Sequence, residues 1–370
     1  MRVLHVVATQ HRRGAEIFAS SLVAALGGDG IEQQVAVVRA DGRVEVGFAA
    51  PTVPVGRGRT GMYGLRLEAG GVTRLRQLIR EFRPDVIQAH GGEPLKYVVA
   101  ASGGRGGRVV YRRIGDAEQF RGARLREQLF AILLRRTARV VTVAETLRQD
   151  LVRRYRLDPG HVVTIPNAVD LAATRPIRSR GDVRGELGVA PETPLVLSMG
   201  ALTWEKDPLR HVEVVARLAG SRPLAHVFVG DGPLRGDLER AVIRSGSGYQ
   251  PRVLGSRDDV GDLLGAADVL LLASRTEGMP ASVIEAGLAS VPVVGYALSG
   301  VPEVVLDGVT GRLVPPGDAD DLSQALADTM DDPEARRSMG ARARERCAEL
   351  FDIEVVAPMY RRVYEEVAAR

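Results

Sequence analysis

Short runs of β-branched residues alternate with longer segments of helical period, and this pattern occurs twice along the chain. Because parallel strands need long crossover connections, usually helices, the alternation predicts parallel sheets covered by helices. The predicted strands of the first half are Val3–Ala8, Val35–Val38, Val86–Ala89, Val109–Arg112, Val140–Val143 and Val162–Ile165. Those of the second half are Leu195–Met199, His226–Val229, Val269–Leu272 and Val291–Val294. The chain is therefore expected to fold into two tandem α/β domains.

A break between the two patterns marks the domain boundary. Strand prediction stops at Ile165-Pro166-Asn167, and a polar stretch follows at Arg175–Asp182. A chain of 370 residues also exceeds the size of one ordinary hydrophobic core. We therefore expect domains at residues 1–170 and 171–353. Since ligands bind outside the carboxyl ends of parallel strands, two such domains predict a ligand site in an interdomain cleft.

The composition excludes several classes of protein. Cys347 is the only cysteine, so neither an intramolecular disulfide nor a cysteine metal cluster can form. No apolar run approaches the ~18 residues that cross a membrane, and the run at Val3–Ala8 is too short for a signal peptide. Aromatic residues make up only 4% of the chain, and no nucleic-acid motif is found. We expect a cytoplasmic protein without a nucleic-acid partner.

Charge is divided unevenly along the chain. Residues 1–180 contain 30 Lys and Arg against 16 Asp and Glu, whereas the remainder contains 20 against 30. Two interpretations are open: ordinary solvated surface, or a first domain that faces an anionic acceptor or an acidic membrane. The second interpretation predicts peripheral contact with the inner face of the membrane.

The segment from Ser274 to Ala286 has the pattern of a ligand-binding turn. It follows a predicted buried strand and leads into a helix, with Gly278 in the turn and Pro280 expected at the first helical position. The free N–H groups at a helix start bind anions, assisted by the helix dipole. Glu277 and Glu285 are therefore candidates to bind hydroxyls of a ligand whose phosphates lie at that helix start. A capping glutamate and a surface glutamate are the alternative.

This segment is one of several that together resemble glycosyltransferase family 4. The matching pieces run in family order over nearly the whole chain. They are Arg13–Glu16, Asp85–His90, Ile165–Asp170, Gly200–Lys206, Val229–Pro233, Leu254–Ser256, Glu277–Glu285, Gly300–Val305 and Gly308–Asp318. The resemblance implies the GT-B fold of two Rossmann-like domains, with acceptor bound by the first and nucleotide sugar by the second. It also implies that a C-terminal helix, residues 354–370, packs back on the first domain.

The resemblance assigns roles at the donor site. Glu285 resembles the residue that accepts hydrogen bonds from the ribose hydroxyls, and Glu277 the residue that holds hydroxyls of the transferred sugar. Lys206 resembles the lysine that neutralises the leaving diphosphate. Further residues expected at the donor site are Gly14, Gly200, Gly255, Gly278, Met279, Ala281, Ser282 and Val283. A UDP- or GDP-sugar is the expected donor.

Lys206 has support of its own. The chain contains 50 basic residues, and only Lys96 and Lys206 are lysines, so a lysine in a glycine-rich turn suggests a need for a compact point charge. Chance retention on a surface is the alternative. One departure from the family is Ala201, because arginine is common at that position. Either Lys206 acts alone, or an arginine elsewhere substitutes, or activity is reduced.

His90 is predicted at the end of a strand. A lone histidine there is usually structural, but the resemblance places it beside the transferred sugar. We therefore predict His90, Lys206 and Glu277 as the catalytic residues. Candidates for binding a phosphate or carboxylate of an anionic or lipid-linked acceptor are His11, Arg12, Arg13, Arg112 and Arg113. Plain surface arginine is the alternative for these.

The resemblance implies a retaining transfer in which a phosphate oxygen of the donor takes the acceptor proton. No cluster of His, Asp and Glu has metal-binding spacing, so we expect no metal and no cofactor besides the nucleotide-sugar co-substrate. Two other functions stay open. One is a nucleotide-sugar epimerase on a similar fold, and the other is a non-catalytic protein that binds nucleotide sugar or scaffolds a synthesis complex. The missing arginine at position 201 favours the non-catalytic protein.

Overall fold

The chain divides into two compact units, each built on its own parallel sheet. The computed structural model describes residues 1–28, 30–56, 67–103, 107–115, 124–219, 222–245 and 249–370. Unit 1 contains Met1–Ala168 and Ile353–Arg370, and unit 2 contains Val169–Asp352. The first boundary lies two residues from the expected end at 170, within the break that begins at Pro166, and the second lies one residue from the expected end at 353.

Unit 1 is a seven-stranded parallel sheet in the order β3-β2-β1-β4-β5-β6-β7. Its strands are β1 Arg2–Val7, β2 Glu32–Val37, β3 Thr52–Pro54, β4 Val86–His90, β5 Val109–Arg113, β6 Arg139–Thr142 and β7 Val162–Thr164. Its helices are α1 Gly14–Ala25, α2 Ala69–Phe82, α3 Gly92–Ala101, α4 Arg124–Arg135, α5 Glu145–Tyr155 and, after unit 2, α14 Ile353–Ala368. The strand order reverses between β1 and β4, so ligand binding is expected beside their carboxyl ends.

Unit 2 is a six-stranded parallel sheet in the order β10-β9-β8-β11-β12-β13. Its strands are β8 Leu195–Met199, β9 Ala225–Val229, β10 Arg252–Val253, β11 Val269–Leu272, β12 Val293–Tyr296 and β13 Gly311–Val314. Its helices are α6 Arg180–Glu186, α7 Pro208–Ala219, α8 Arg235–Arg244, α9 Val260–Ala266, α10 Ala281–Leu288, α11 Val301–Val304, α12 Ala319–Asp331 and α13 Pro333–Phe351. Here the order reverses between β8 and β11, which are neighbours in the sheet.

The C-terminal helix α14 completes the core of unit 1. Its buried residues include Tyr360 and Tyr364, which join one apolar cluster with Val3 of β1 and Phe18 of α1. The Tyr364 hydroxyl donates to Gln88 Oε1 in β4 at 3.0 Å. A segment that follows unit 2 in sequence is therefore part of the packing of unit 1.

Several elements differ from the sequence-based prediction. The edge strands β3, β10 and β13 were not predicted, because two to four residues carry too little periodic signal. Helix α3 was also missed. It begins behind Gly91, whose φ of 102° only glycine adopts readily, and it contains Pro94 in its first turn. Glycine and proline at the start of this segment weaken the helical signal in the sequence.

Candidate functional site

An ion pair joins the loops that follow β8 and β11 in unit 2. Lys206 Nζ lies 2.7 Å from both Oε1 and Oε2 of Glu277. Glu277 is buried, with 6% of its surface exposed, and the Lys206 side chain is half-buried. Ser274 Oγ donates to Glu277 Oε1 at 2.6 Å. The structure thus brings together two residues that are 71 positions apart and that the sequence identified separately.

Glycines at the strand ends beside this pair allow the backbone segments to approach one another. Gly200 has a φ of 148°, which favours glycine, and the position of its Cβ lies 3.8 to 3.9 Å from the Lys206 methylenes, an ordinary van der Waals contact. Gly230, at the end of β9, lies so close that an added Cβ would come within 1.9 Å of the Gly200 carbonyl oxygen. Gly230 N in turn donates to the Gly255 carbonyl at 2.8 Å. Gly200 and Gly255 therefore lie at one edge of the sheet.

The turn after β11 leads into α10. The helix begins at Ala281, and Pro280 is its N-cap with extended geometry, one position earlier than predicted. No side chain caps this helix start, so the first helical N–H groups depend on a partner other than a side-chain cap. The predicted donor-site residues of this segment, all in the turn and α10, are Gly278, Met279, Ala281, Ser282, Val283 and Glu285. The Gly278 carbonyl is held by Gly300 N at 2.8 Å, which fixes the turn.

A second ion pair, absent from the prediction, braces the same two loops. Arg275 Nε donates to Asp207 Oδ2 at 2.7 Å, and Arg275 N donates to the Glu205 carbonyl at 2.8 Å. The Arg275 guanidinium lies 5.3 Å from the ring centre of Trp204. Asp207 and Arg275 adjoin Lys206 and Ser274 in sequence, and that adjacency was the only signal by which they were detectable.

His90 of unit 1 terminates a chain of buried hydrogen bonds. Gln33 Nε2 donates to the Val23 carbonyl at 2.9 Å, so its Oε1 faces His5 Nε2 at 3.1 Å. His5 Nδ1 lies 3.2 Å from His90 Nε2. If Gln33 Oε1 accepts from His5 Nε2, then His5 Nδ1 is unprotonated and accepts from His90 Nε2. His90 Nδ1 is then left with a free lone pair.

The other ring nitrogen of His90 has no protein partner. His90 is 2% exposed, and its Nδ1 is buried without a hydrogen bond among the residues that the structure describes. Burial lowers the His90 pKa well below its usual value, and the nearby His5 and Arg112 lower it further. Burial also lowers the pKa of His5 to about 4. Both rings are therefore neutral, and His90 Nδ1 is a hydrogen-bond acceptor without a donor.

The first loop of unit 1 presents exposed cationic groups. Arg12 and Arg13 are exposed, and His11 forms a 2.8 Å contact from Nε2 to Asp41 Oδ2. Gly14 begins α1, and no described atom lies within 4 Å of the position where its Cβ would be. Packing therefore does not require glycine at this position, and Gly14 stays a predicted donor-site residue.

The expected acceptor role of Arg112 and Arg113 is contradicted by their burial. Arg112 is completely buried, with Nη2 donating to Asn167 Oδ1 at 2.7 Å and Cζ 3.6 Å from the ring centre of Phe18. Arg113 is also buried, with its guanidinium near the ring of Phe130. Both side chains are packed inside unit 1. The acceptor prediction therefore rests on His11, Arg12 and Arg13.

No metal-binding site is present in the described part of the chain. Within it, no group of three or more His, Cys, Asp or Glu side chains is arranged to hold a metal ion. Contrary to the expectation that no acidic cluster has metal-binding spacing, the sequence contains Asp318-Ala319-Asp320, but Asp318 caps α12 by accepting from Asp320 N and Asp321 N. The expectation of a metal-independent reaction is a prediction for solution tests.

Comparisons with known proteins assign the chain to a family. Residues 12–173 match the model of Glycosyltransferase Family 4, and residues 179–346 match that of Glycosyl transferases group 1. D-inositol 3-phosphate glycosyltransferase from Kineococcus radiotolerans is 31% identical over 281 residues, which cover 69% of this chain and 63% of that relative, less than two thirds of its length. 2-Deoxystreptamine N-acetyl-D-glucosaminyltransferase from Streptomyces fradiae is 30% identical over 315 residues, covering 77% and 72%. The chain belongs to glycosyltransferase family 4.

Solved structures give the fold. Sucrose-phosphate synthase from Thermosynechococcus elongatus has a TM-score of 0.84 at 20% identity, covering 100% of this chain and 99% of that one. Anabaena HepE in complex with UDP and glucose has a TM-score of 0.83 at 21% identity, covering 98% and 99%. The predicted GT-B class, with two parallel-sheet α/β units, is confirmed. The chain thus has the GT-B fold.

Proposed function

We propose that the protein transfers a sugar, with retention of configuration, from a nucleotide-sugar donor bound by unit 2 to an acceptor bound by unit 1. The observation that carries this proposal is the pair of Lys206 and Glu277 at the switch point of the unit 2 sheet. Taking charges out of water is unfavourable unless they are paired, so each residue keeps the other neutralised in the absence of ligand. A donor diphosphate competes for the ammonium and frees the carboxylate to accept from sugar hydroxyls.

The donor's diphosphate would lie at the start of α10. The N–H groups of Ala281 and Ser282 and the positive end of the helix dipole suit an anion there. Glu285, half-buried on the same helix, would accept from the ribose hydroxyls. Lys206 would stabilise the charge that develops on the leaving diphosphate, which is where a fixed cation contributes most to rate.

The reaction needs no side-chain base in this proposal. The acceptor oxygen forms a bond to the anomeric carbon as the bond from that carbon to the phosphate oxygen breaks. The acceptor proton passes to a phosphate oxygen of the departing diphosphate, on the same face of the sugar. His90 Nδ1 would accept from a hydroxyl of the transferred sugar, since a neutral ring with a free lone pair suits an O–H donor.

A UDP- or GDP-sugar is our proposed donor. The structures of Anabaena HepE with UDP and with UDP-glucose favour UDP for the present chain. For the acceptor we propose an anionic or lipid-linked molecule, because His11, Arg12 and Arg13 stand in a loop with exposed positive charge. No helix in the described ranges is long and apolar enough to cross a membrane. A lipid-linked acceptor would be reached through the peripheral contact that the basic first half of the chain suggests.

Thermal unfolding with UDP, GDP, ADP and their sugars tests the donor. A ligand at about 100 times its dissociation constant stabilises the folded state by about 2.7 kcal/mol, so the matching nucleotide should raise the unfolding temperature. The shift should be lost in Glu285→Ala and kept in Glu192→Ala, which removes an exposed glutamate elsewhere in unit 2. No shift with any nucleotide, or an equal shift in both variants, contradicts the proposed donor site.

A further inference from the structure

Four polar side chains form a chain of hydrogen bonds inside unit 2. They are His211 of α7, Ser198 of β8, His226 of β9 and Tyr249, and all four are buried. We name this series, together with the Ala273 amide to which it connects, the unit 2 chain. Burying polar groups is unfavourable unless each is hydrogen-bonded, so a series of this kind in a core needs a reason.

One backbone N–H group, that of Ala273, determines which ring nitrogen of His211 carries the proton. Ala273 N–H can only donate, and it lies 3.0 Å from His211 Nε2, which is therefore unprotonated. His211 Nδ1 then carries the proton and donates to Ser198 Oγ at 2.7 Å. Ser198 Oγ also lies 2.8 Å from His226 Nε2.

The bonds at the far end of the unit 2 chain permit either tautomer of His226. His226 Nδ1 lies 2.5 Å from the Tyr249 hydroxyl. With the proton on Nδ1, the Tyr249 hydroxyl proton has no acceptor among the four side chains, and with the proton on Nε2, the Ser198 hydroxyl proton has none. The Ala273 amide therefore determines the tautomer of His211 alone. Burial, together with the neighbouring Lys206 charge, lowers the pKa of His211 to about 3. Burial also lowers the pKa of His226 well below its usual value. Both rings are neutral.

His211 connects the segments that carry the Lys206–Glu277 pair. Ala273 directly precedes Ser274, whose hydroxyl holds Glu277. Ser198 lies two residues before Gly200, and α7 itself begins directly after the Lys206 loop. His211, Ser198, Lys206 and Ser274 also line one small cavity. A single neutral ring is thus bonded to the end of β11 and to the end of β8, and stands beside Lys206.

We propose that His211 is a positioning residue for sugar transfer, whose Nε2 anchors the Ala273 amide and so sets where Glu277 stands relative to Lys206. This inference rests on the proposed function for its effect on turnover. Its structural half, the anchored amide and the Nδ1–H form of His211, does not depend on which reaction takes place.

The proton positions are measured directly by NMR. The chain has six histidines, so ¹⁵N-histidine labelling gives a small set of ring signals, and His211→Asn and His226→Asn assign the two of interest. We expect His211 as the Nδ1–H form at neutral pH. Finding His211 protonated on Nε2 overturns the proposal, because that ring could not accept from Ala273.

Two variants of His211 separate positioning from packing. Glutamine puts an amide oxygen near the place of Nε2 and keeps an acceptor for Ala273 N–H. Asparagine reaches only as far as Nδ1, keeps contact with Ser198 and leaves the Ala273 amide unpaired. Both remove the ring, so their loss of packing is similar. We expect His211→Gln to keep kcat within about 3-fold of wild type and His211→Asn to lower it about 10- to 100-fold, as small misplacements in active sites do.

A matched control and an activity-independent measurement complete the test. His161→Asn removes a half-buried histidine of unit 1, bonded to Thr137 Oγ1, and should leave kcat unchanged. Equal losses of kcat in His211→Gln and His211→Asn, or losses that follow the unfolding temperature alone, overturn the proposal. Should the wild-type protein transfer no sugar from any nucleotide donor, the proposed function fails by itself. Hydrogen exchange of the Ala273 amide, slow in His211→Gln and fast in His211→Asn, then still tests the anchor.

Discussion

Each unit contains a buried hydrogen-bonded series built on two histidines, and the two series end differently. In unit 1 the series runs from the Val23 carbonyl through Gln33 and His5 to His90, whose Nδ1 has no partner among the described residues. In unit 2 it runs from the Ala273 amide to Tyr249, and every ring nitrogen is bonded. An unsatisfied buried polar group costs about 1–3 kcal/mol. A ligand hydroxyl that donates to His90 Nδ1 would remove this cost. The unit 2 chain has no such open position at its rings, and its hydrogen bonds hold the surrounding segments in place.

The largest effect is expected from Lys206→Ala. Removing the cation that stabilises the leaving diphosphate should lower kcat by about 10²- to 10³-fold at saturating donor. Glu285→Ala should mainly raise the KM for donor, so the two variants separate turnover from binding within unit 2. Steady-state kinetics with Lys96→Ala, which removes the only other lysine, is the control. Wild-type turnover in Lys206→Ala would show that the diphosphate role assigned to it is wrong.

The hydrogen-bonded series of unit 1, which ends at His90, is tested by changing His5. With leucine there, His90 Nε2–H loses its acceptor and the ring is free to change tautomer, so kcat/KM should fall about 10-fold, the value of one hydrogen bond. Asparagine at the same position offers an oxygen near the place of Nδ1 and should restore most of the activity. ¹⁵N NMR of His90 should report Nε2–H in wild type and in His5→Asn. Activity that is equal in both variants would mean that the series does not orient His90.

The two series should also contribute to the pH dependence of stability. The pKa of His5 is lowered to about 4 and that of His211 to about 3, against about 6.5 unfolded. Between pH 6.5 and these values only the unfolded chain binds the proton, so stability is lost as pH falls, by about 1.4 kcal/mol per pH unit for each histidine. Denaturant unfolding at several pH values below neutrality measures this slope. His211→Gln should make it shallower, and an unchanged slope would contradict a neutral buried His211.

The smallest expected effect is that of a chelator. Since charge on the diphosphate is assigned to Lys206 and to the start of α10, EDTA should change turnover by less than about 2-fold. Added Mg²⁺ should restore nothing. A loss of activity with EDTA that Mg²⁺ reverses would assign part of the charge stabilisation to a metal ion instead.

The sequence alone identified the elements that present Lys206, Glu277, Glu285 and His90, because strand ends and glycine turns are local features. It did not reveal the contact between Lys206 and Glu277, since a distance across 71 residues depends on which strands become neighbours. The four residues of the unit 2 chain are spread over β8, α7, β9 and Tyr249. Each of them alone suggests no more than an ordinary core residue.

Arg112 illustrates a different error, a contact with acceptor that was predicted and that burial of the side chain contradicts. A strand-end arginine was predicted to contact acceptor, and the structure buries it against Phe18 and Asn167, with Tyr360 of α14 close enough to affect its pKa. Tyr360 lies almost 250 residues further along the chain. Local sequence therefore predicted the position of the residue in the fold but not its exposure.

The place of α14 has a consequence for the order of folding during synthesis. Domains generally fold as units as the chain emerges from the ribosome, N-terminal parts first. Here residues 1–168 emerge first, yet their apolar cluster is incomplete without Tyr360 and Tyr364. All of unit 2 is made before those residues exist. Until unit 2 has been synthesised, Val3 and Phe18 of unit 1 therefore lack their packing partners from α14. In that period they are available for contacts with other chains and with chaperones.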